Sequence, residues 1–332
     1  MDIQEEKPVK PVPFNSNHSL LLTLAPQHFK KSYGFVLTIK EGDTENSIKY
    51  EADVTYVKTI PDCARLFKIE RTTKVYLNNT DPDLLMDQLA AEAGAALYPV
   101  VLEIDFDGKF LGVHNKQEIK ERWQERKQKI QEYFVGDIAT QYCNLMDDTI
   151  DSLPQLNWAY RKDMLIGSYF TPIFKSYGSS LRTEDELKFM LAGNASPVAF
   201  QVTTEVRKNL HDMGLVELVQ AGVVTDERSI QDIEDERSFP FRQMTDGNAK
   251  PVTGKYAARY LLHPNSNAIR SINAEWELNL TEKRVLNVSM HQINADDKVD
   301  QLTKKQDQPG LVFLDKDENR GLFSNIFKSL FG

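Results

Sequence analysis

Carboxylates are the residues in this chain whose spacing comes closest to a chemical motif. Asp315, Asp317 and Glu318 lie in the stretch DKDENRG, where alternating carboxylates are typical of the start of a calcium-binding loop. An EF-hand loop needs a glycine at its sixth position and a glutamate at its twelfth, and this chain has Arg320 and Ile326 there. The stretch is therefore interpreted as part of a solvated linker, and no metal site is predicted.

Histidine and cysteine spacing gives no support to metal or nucleophile chemistry. The six histidines form no HxH, HxxxH or HExxH pair, so the sequence does not predict a zinc site. Cys63 and Cys143 are far apart in the sequence, and we predict that both are buried thiols in a reducing compartment. A Cys–His pair stays open, because its members need only meet in space. The chain also lacks GxGxxG, GxxxxGK[ST] and GxSxG, so no cofactor is predicted.

Aromatic residues are concentrated between residues 156 and 178. They are candidates for the lining of a pocket for an apolar or lipid-like ligand, since such pockets are mostly apolar with a few polar groups. The alternative is ordinary packing of short helices on a sheet. The six residues of this aromatic cluster are Trp158, Tyr160, Tyr169, Phe170, Phe174 and Tyr177.

Residues 321–332 carry a stripe of large apolar side chains. On a helix these side chains share one side, and a free stripe of this kind has to be buried against something. Three interpretations are open: the helix folds back on its own domain, inserts into a groove of a protein partner, or lies on a membrane. Lys328 is the only base in the helix, which disfavours an anionic membrane. The members of this apolar stripe are Leu322, Phe323, Ile326, Phe327, Leu330 and Phe331.

The overall charge and the apolar runs narrow the class of protein. A net charge of -9 and a pI near 5.3 argue against a general nucleic-acid binder, because phosphates attract basic surfaces. The apolar run at residues 20–24 is too short and too late for a secretory signal. No window approaches the ~20 apolar residues of a membrane-spanning helix. We therefore expect a soluble, cytoplasmic protein.

Alternation of apolar and polar residues predicts most of the strands. The strongest signal is Asp107-Gly108 between two such runs, 100–106 and 110–114, which predicts a hairpin whose tip accounts for the nearby Asp105. Segment 215–225 fits either a strand or a helix. The other predicted strands are 34–40, 48–58, 64–77 with a break inside it, 198–206, 254–262, 268–280 and 284–293.

Helical periodicity and capping signals place the helices. A long helix is predicted over 117–146, with Gly136 as a point of bending or interruption and with Asn115 and Glu118 as a capping box. Segment 226–237, with six acidic and two basic residues, is predicted to be exposed. The other predicted helices are 83–97, one or two short ones within 156–177, and 183–191.

This order of elements predicts an α+β fold. An antiparallel sheet of N-terminal strands, the central hairpin and a C-terminal meander packs against the long helix and several short ones. We expect a flexible arm over 1–30 on which residues 20–24 dock, a globular domain over 31–294, and a polar linker ending in an amphipathic helix over 295–332. Residues 311–314 form a second short apolar anchor. If the domain splits, the boundary is near 177–183.

These observations favour binding over catalysis. We expect a non-enzymatic binding or assembly protein that docks a protein partner through the apolar stripe. The first alternative is a carrier of a small apolar or lipid-like ligand that uses the aromatic cluster, and the second is an enzyme of unstated class. Nucleic acid is not expected as a partner, and the oligomeric state does not follow from the sequence.

Overall fold

A single antiparallel sheet takes up most of the strands. The computed structural model describes residues 10–13 and 19–293, and the backbone of residues 312 and 313. In chain order the strands are β1 (Leu20–Leu21), β2 (Lys30–Glu41), β3 (Thr44–Ile60), β4 (Ala64–Arg71), β5 (Tyr76–Leu77), β6 (Val100–Ile104), β7 (Phe110–Val113), β8 (Phe134–Val135), β9 (Ser176–Gly178), β10 (Arg182–Phe189), β11 (Val198–Val206), β12 (Val216–Val224), β13 (Gly254–Leu262), β14 (Ile269–Leu278), β15 (Arg284–Ile293) and β16 (Val312–Phe313).

Four of the helices lie in the sequence between the N-terminal and the C-terminal strands of the sheet. In chain order the helices of the described ranges are α1 (Leu85–Gly94), α2 (Lys116–Tyr133), α3 (Asp137–Asp151), α4 (Leu153–Lys162), α5 (Met164–Tyr169), α6 (Ile230–Glu234) and α7 (Phe241–Thr245), with a 3-10 turn (Ala95–Leu97) after α1. No helix in these ranges is both long enough and apolar enough to cross a membrane.

The sheet runs in the order β10-β11-β12-β13-β14-β15-β2-β3-β4-β6-β7, and β5 pairs with β3 as a twelfth strand. Every neighbouring pair is antiparallel. Strand β15 pairs along its whole length with β2, so the N-terminal strands and the C-terminal meander belong to one sheet. The predicted α+β fold with an antiparallel sheet and packed helices is confirmed. The division into arm, domain and tail stays a prediction.

One face of the sheet is buried and the other is largely polar. Along β11, Val198, Phe200 and Val202 are buried, whereas Gln201 and Glu205 on the opposite face are exposed. This alternation is typical of an antiparallel sheet covered on one side. Helix α5 packs against β14 and β15, and α4 against β7, so the helices contribute to the same hydrophobic core.

The long predicted helix is interrupted where the sequence places a glycine. Helix α2 ends at Tyr133, the chain extends through β8, and α3 begins after Gly136, whose φ of 114° suits a residue without a Cβ. The backbone of β16 pairs in parallel with β8, with Val312 opposite Phe134. The backbone of residues 312 and 313, within the predicted apolar anchor at 311–314, therefore lies against β8, and the apolar contacts of this anchor stay a prediction.

The predicted helix over residues 183–191 is wrong, because this segment forms strand β10. Its Glu, Leu and Lys residues favour a helix locally. However, exposure alternates along the segment, and every residue from Arg182 to Phe189 lies opposite a residue of β11. Pairing with a distant strand outweighs the local preference. Segment 215–225, which fitted either state, forms β12 in the same sheet.

The predicted capping box at Asn115 is also wrong. Its side-chain oxygen accepts a hydrogen bond from the Val101 N–H at 2.8 Å, so it does not cap the first turn of α2. The amide nitrogen donates to the Glu118 carboxylate at 2.9 Å. Asn115 therefore ties the start of α2 to strand β6, a contact that local sequence patterns cannot show.

The N-terminal segment lies on the body in its described parts. The N–H of the buried Val12 donates to the Lys208 carbonyl at 3.0 Å, and that of Leu22 donates to the Lys175 carbonyl at 3.1 Å. Strand β1 also pairs with β9. The predicted docking of residues 20–24 is confirmed, and a second contact point exists at residue 12.

Candidate functional site

Three of the six residues of the aromatic cluster meet at one cleft. Tyr169 ends α5, Phe170 follows it, and Phe174 lies in the loop that leads to β9. The cleft amounts to about 310 Å³ when its part open to solvent is counted, but only about 10 Å³ has room for the centre of a water molecule. Its lining is Leu24, Arg65, Phe67, Ile104, Asp105, Gly108, Tyr169, Phe170, Phe174 and Ile269.

The other three aromatic residues lie elsewhere. Tyr160 is buried and donates to the Leu97 carbonyl at 2.5 Å, and Tyr177 donates to the Ile173 carbonyl at 2.9 Å. Trp158 is partly exposed on α4. Tyr160 and Tyr177 therefore have a structural role, and whether the cleft binds a ligand stays a prediction.

Tyr169, which lines the cleft, pairs with the fully buried Tyr33. The Tyr33 and Tyr169 hydroxyl oxygens are 3.2 Å apart, and the Tyr33 hydroxyl donates to the Ile269 carbonyl at 2.7 Å. The two rings meet edge to face with centroids 5.4 Å apart. Burial raises the pKa of both phenols above the usual value, so both are neutral at physiological pH. This side of the cleft is uncharged.

The predicted hairpin forms one side of the cleft. Strands β6 and β7 pair as expected, and the turn between them packs against the loop after α5 through a hydrogen bond from the Phe174 N–H to the Asp107 carbonyl at 3.0 Å. Gly108 adopts a φ of 101°, and an added Cβ would lie 2.8 Å from Phe174 Cδ2 and 3.0 Å from the Thr171 carbonyl oxygen. A glycine is needed here both for the turn and for the close approach of the hairpin.

A charged cluster that the sequence did not indicate lies on the buried side of β3 and β4. The Arg71 guanidinium carbon lies 4.1 Å from the ring centroid of Tyr98 and 4.6 Å from that of Tyr50. The Asp163 carboxylate lies 3.5 Å from Arg71 Nη2 and accepts a hydrogen bond from the Tyr98 hydroxyl at 2.5 Å. Burial lowers the pKa of Arg71, but the combined effect of Tyr98, Tyr50 and Asp163 raises it by more than burial lowers it. The net pKa is therefore above the usual value, and the guanidinium stays charged. The cluster joins β3, β4 and the start of α5.

The acidic segment 226–237 was predicted to be exposed, and the structure corrects this for its anchoring residues. Arg228 is buried and donates to the Asp226 carboxylate and to the carbonyls of Ser196, Pro197 and Arg237. Burial raises the pKa of Asp226, but its hydrogen bonds with Arg228 and the charge of Arg228 lower it by more, so the net pKa is below the usual value. The buried Arg228 satisfies carbonyls of two loops, the one before β11 and the one after α6, which is a structural role.

The two cysteines differ in environment. Cys143 is buried, as predicted, and burial raises the pKa of its thiol, which makes the thiol a poor nucleophile. Cys63 is exposed in the turn between β3 and β4, so the prediction of a second buried thiol is wrong. Turn residues stay at the surface even when the flanking strands are buried.

Lys162 is a buried lysine at the end of α4. Its Nζ donates to the Asn194 side-chain oxygen at 2.6 Å and lies 5.9 Å from the Trp158 ring centroid. Burial lowers the pKa of Lys162 to about 8, and Glu236 raises it only in part. Its unfolded value is 10.5, so between pH 8 and 10.5 the unfolded chain holds a proton that the folded chain has lost. Lys162 therefore makes the folded state more stable as the pH rises through this window.

The substitution Lys162→Met tests this linkage. At pH 7 we expect it to stabilise the fold by about 1–2 kcal/mol, since it removes a poorly solvated charge. At pH 10.5 the gain should disappear, because the wild-type lysine is then neutral in the folded state. Urea unfolding of both proteins at the two pH values measures the difference. Lys255→Met, on the exposed side of β13, is the control and should show no such dependence on pH.

The remaining predicted sites lie outside the described ranges. The apolar stripe and the stretch DKDENRG both follow residue 313. Within residues 10–13 and 19–293, no group of three or more His, Cys, Asp or Glu residues is arranged to hold a metal ion.

Neither the models of known protein families nor the curated protein sequences match this chain. The functional argument therefore depends on the residues themselves.

Proposed function

We propose that this chain is a non-enzymatic binding protein whose body carries an apolar stripe, residues 322–331, that docks a protein partner. The pairing of β16 with β8 is the observation that supports this proposal, because it holds residues 312 and 313 against the body between α2 and α3. Only eight residues, 314–321, separate this anchor from the stripe. They reach about 30 Å at most, so the length of the chain limits the distance between the stripe and β16 to that value.

Burial of the apolar side chains provides the free energy for docking through a helix of this kind. An amphipathic helix places its apolar residues in a partner's groove, and each large side chain buried contributes about 1.5–3 kcal/mol before the cost of ordering the segment. The six side chains of the stripe are therefore sufficient for a micromolar contact.

Truncation after Gly321 removes the stripe but keeps β16, so it tests whether the stripe is separate from the core. We expect the shortened chain to keep its circular dichroism spectrum and to unfold cooperatively, because the large sheet and its helices are complete without the removed residues. A chain that fails to fold would show that the removed segment belongs to the core, and the docking proposal would be wrong.

Single substitutions then test the docking itself. Phe327→Asp places a charge in the stripe, and Ser324→Asp places the same charge on its polar side. A partner captured by the wild-type chain should be retained by Ser324→Asp and lost with Phe327→Asp, and the purified partner should show the same order of affinities in a binding titration. Equal affinities for the two variants would contradict the proposal.

A second candidate function is the carriage of a small apolar ligand in the aromatic cleft. The convergence of Tyr169, Phe170 and Phe174 with Phe67 supports it, since apolar walls with few polar groups are typical of ligand sites. The narrow interior means that a ligand has to displace a side chain as it enters. Saturable binding of dodecanol by the purified chain is the expected result, and dodecanol is neutral, so it reports on the apolar walls alone.

A further inference from the structure

Arg65 places a positive charge at the edge of the aromatic cleft. On β4 it lies two residues before Phe67, so the two side chains are on the same face of the strand, and Ile104 of β6 is directly opposite Arg65. All three residues line the cleft. The guanidinium carbon of Arg65 lies 5.2 Å from the ring centroid of Phe106, which is partly exposed. The cation is therefore next to apolar surface on two sides.

No residue in the described ranges pairs with the Arg65 guanidinium by a hydrogen bond or an ion pair. Burial lowers the pKa of Arg65, as expected for a cation that loses water and gains no carboxylate, and Tyr56 offsets this in part. Some other buried or partly buried arginines of the described ranges have a carboxylate partner. Arg228, for example, is paired with Asp226, and Arg71 lies beside Asp163. Arg65 is therefore a cation beside an apolar cleft, and its N–H donors make no hydrogen bond to a described residue.

Asp105 is the acidic residue of the cleft lining, and it is engaged elsewhere. Its Oδ1 accepts a hydrogen bond from the Lys109 N–H at 2.7 Å, which stabilises the hairpin turn. It does not come within ion-pair distance of Arg65, so it does not neutralise the guanidinium. The Asp105 charge does weaken the attraction of the cleft for an anion, and this effect is itself testable.

We propose that the cleft binds an amphipathic anion, with its oxyanion head paired to Arg65 and its alkyl chain against Phe67, Phe170 and Phe174. This inference rests on the carrier function proposed above. A planar guanidinium is suited to bidentate pairing with a carboxylate, and the pair gains strength where water is excluded. Leu24 is partly buried and lines the cleft from the docked N-terminal segment, and we expect its side chain to move when the alkyl chain enters.

The experiment is a titration of the full chain with dodecanoate and with dodecanol at the same ionic strength. We expect dodecanoate to bind at least about tenfold more tightly than dodecanol. Arg65→Gln should remove this difference and leave the affinity for dodecanol unchanged. Arg207→Gln is the control, because Arg207 is exposed and pairs with Glu205 away from the cleft lining. Asp105→Asn keeps the turn acceptor and should tighten dodecanoate binding alone by about twofold to threefold.

The outcomes separate the two proposals. If dodecanol binds and Arg65→Gln leaves dodecanoate binding unchanged, the role of Arg65 is wrong and the carrier function survives. Leu24→Ala is expected to widen the cleft. This variant therefore shows whether the wild-type chain fails to bind a ligand only because the Leu24 side chain blocks the cleft. If neither ligand binds to the wild type or to Leu24→Ala, while both keep the wild-type circular dichroism spectrum, the carrier function and the inference both fail.

Discussion

Replacement of Arg71 by methionine is expected to destabilise the fold by about 3–5 kcal/mol. Methionine fills the space between the Tyr50 and Tyr98 rings, but it leaves the Asp163 carboxylate without its cation in a site where that side chain is only 13% exposed. Removing one partner of a buried charge pair has a cost of this size, and the lost cation–π contacts add to it. Urea unfolding measures the change in the free energy of unfolding.

Two further variants show where the cost arises. Arg182→Met removes an exposed arginine that pairs with Glu184 at 2.8 Å, and it should cost less than about 1 kcal/mol. Asp163→Asn keeps the oxygen that accepts from the Leu165 N–H at 2.9 Å but removes the charge. In the Asp163→Asn background, Arg71→Met should therefore cost about 1–3 kcal/mol less than in the wild type. Equal costs in the two backgrounds would show that Arg71 does not stabilise the Asp163 carboxylate.

The Arg71 cluster could not be predicted from the sequence because its members are brought together only by the fold. Tyr50 and Arg71 lie on adjacent strands, Tyr98 precedes β6, and Asp163 precedes α5. No periodicity or spacing connects these positions, and a lone arginine in a strand is usually exposed. Only the pairing of β3 with β4 and the position of α5 create the site.

Features that depend on local chemistry were predictable. The hairpin around Asp107-Gly108 follows from the turn preference of that dipeptide, and Gly136 interrupts the long helix where its missing Cβ allows a positive φ. The helix prediction at residues 183–191 was wrong because the segment pairs with β11. This pairing is a non-local interaction, which the local composition does not report.

The cleft lies between these two cases. Tyr169, Phe170 and Phe174 are close in sequence, so their shared environment was accessible to sequence reasoning. Arg65 and Leu24, which determine its charge and its width, come from distant segments and were not anticipated. The apolar character of the cleft could thus be predicted, whereas the anion preference argued from Arg65 required the fold.

Replacement of Gly254 by alanine is expected to cost about 3 kcal/mol or more, because the sheet leaves no space for a methyl group there. Gly254 is the first residue of β13 and lies opposite Leu278 of β14. An added Cβ would lie 2.1 Å from the Glu277 carbonyl oxygen, and a backbone atom cannot turn away as a side chain can. The start of β13 would have to separate from β14, which also disrupts the bond from the Asn279 N–H to the Thr253 carbonyl at 2.9 Å.

The matched control is the same substitution at a glycine with free space around it. Gly94 ends α1 with helical dihedral angles, and no atom beyond its chain neighbours and its own helix backbone lies within 4 Å of the added Cβ, so Gly94→Ala should stabilise the fold by about 0.5–1 kcal/mol. Urea unfolding of both variants therefore gives changes of opposite sign. A cost below about 1 kcal/mol for Gly254→Ala would mean that the start of β13 separates locally from β14, and amide hydrogen exchange would then show lost protection at residues 277–280 alone. A cost of 3 kcal/mol or more instead means that the start of β13 separates from β14 only when the whole sheet unfolds, as close packing of backbone against backbone requires.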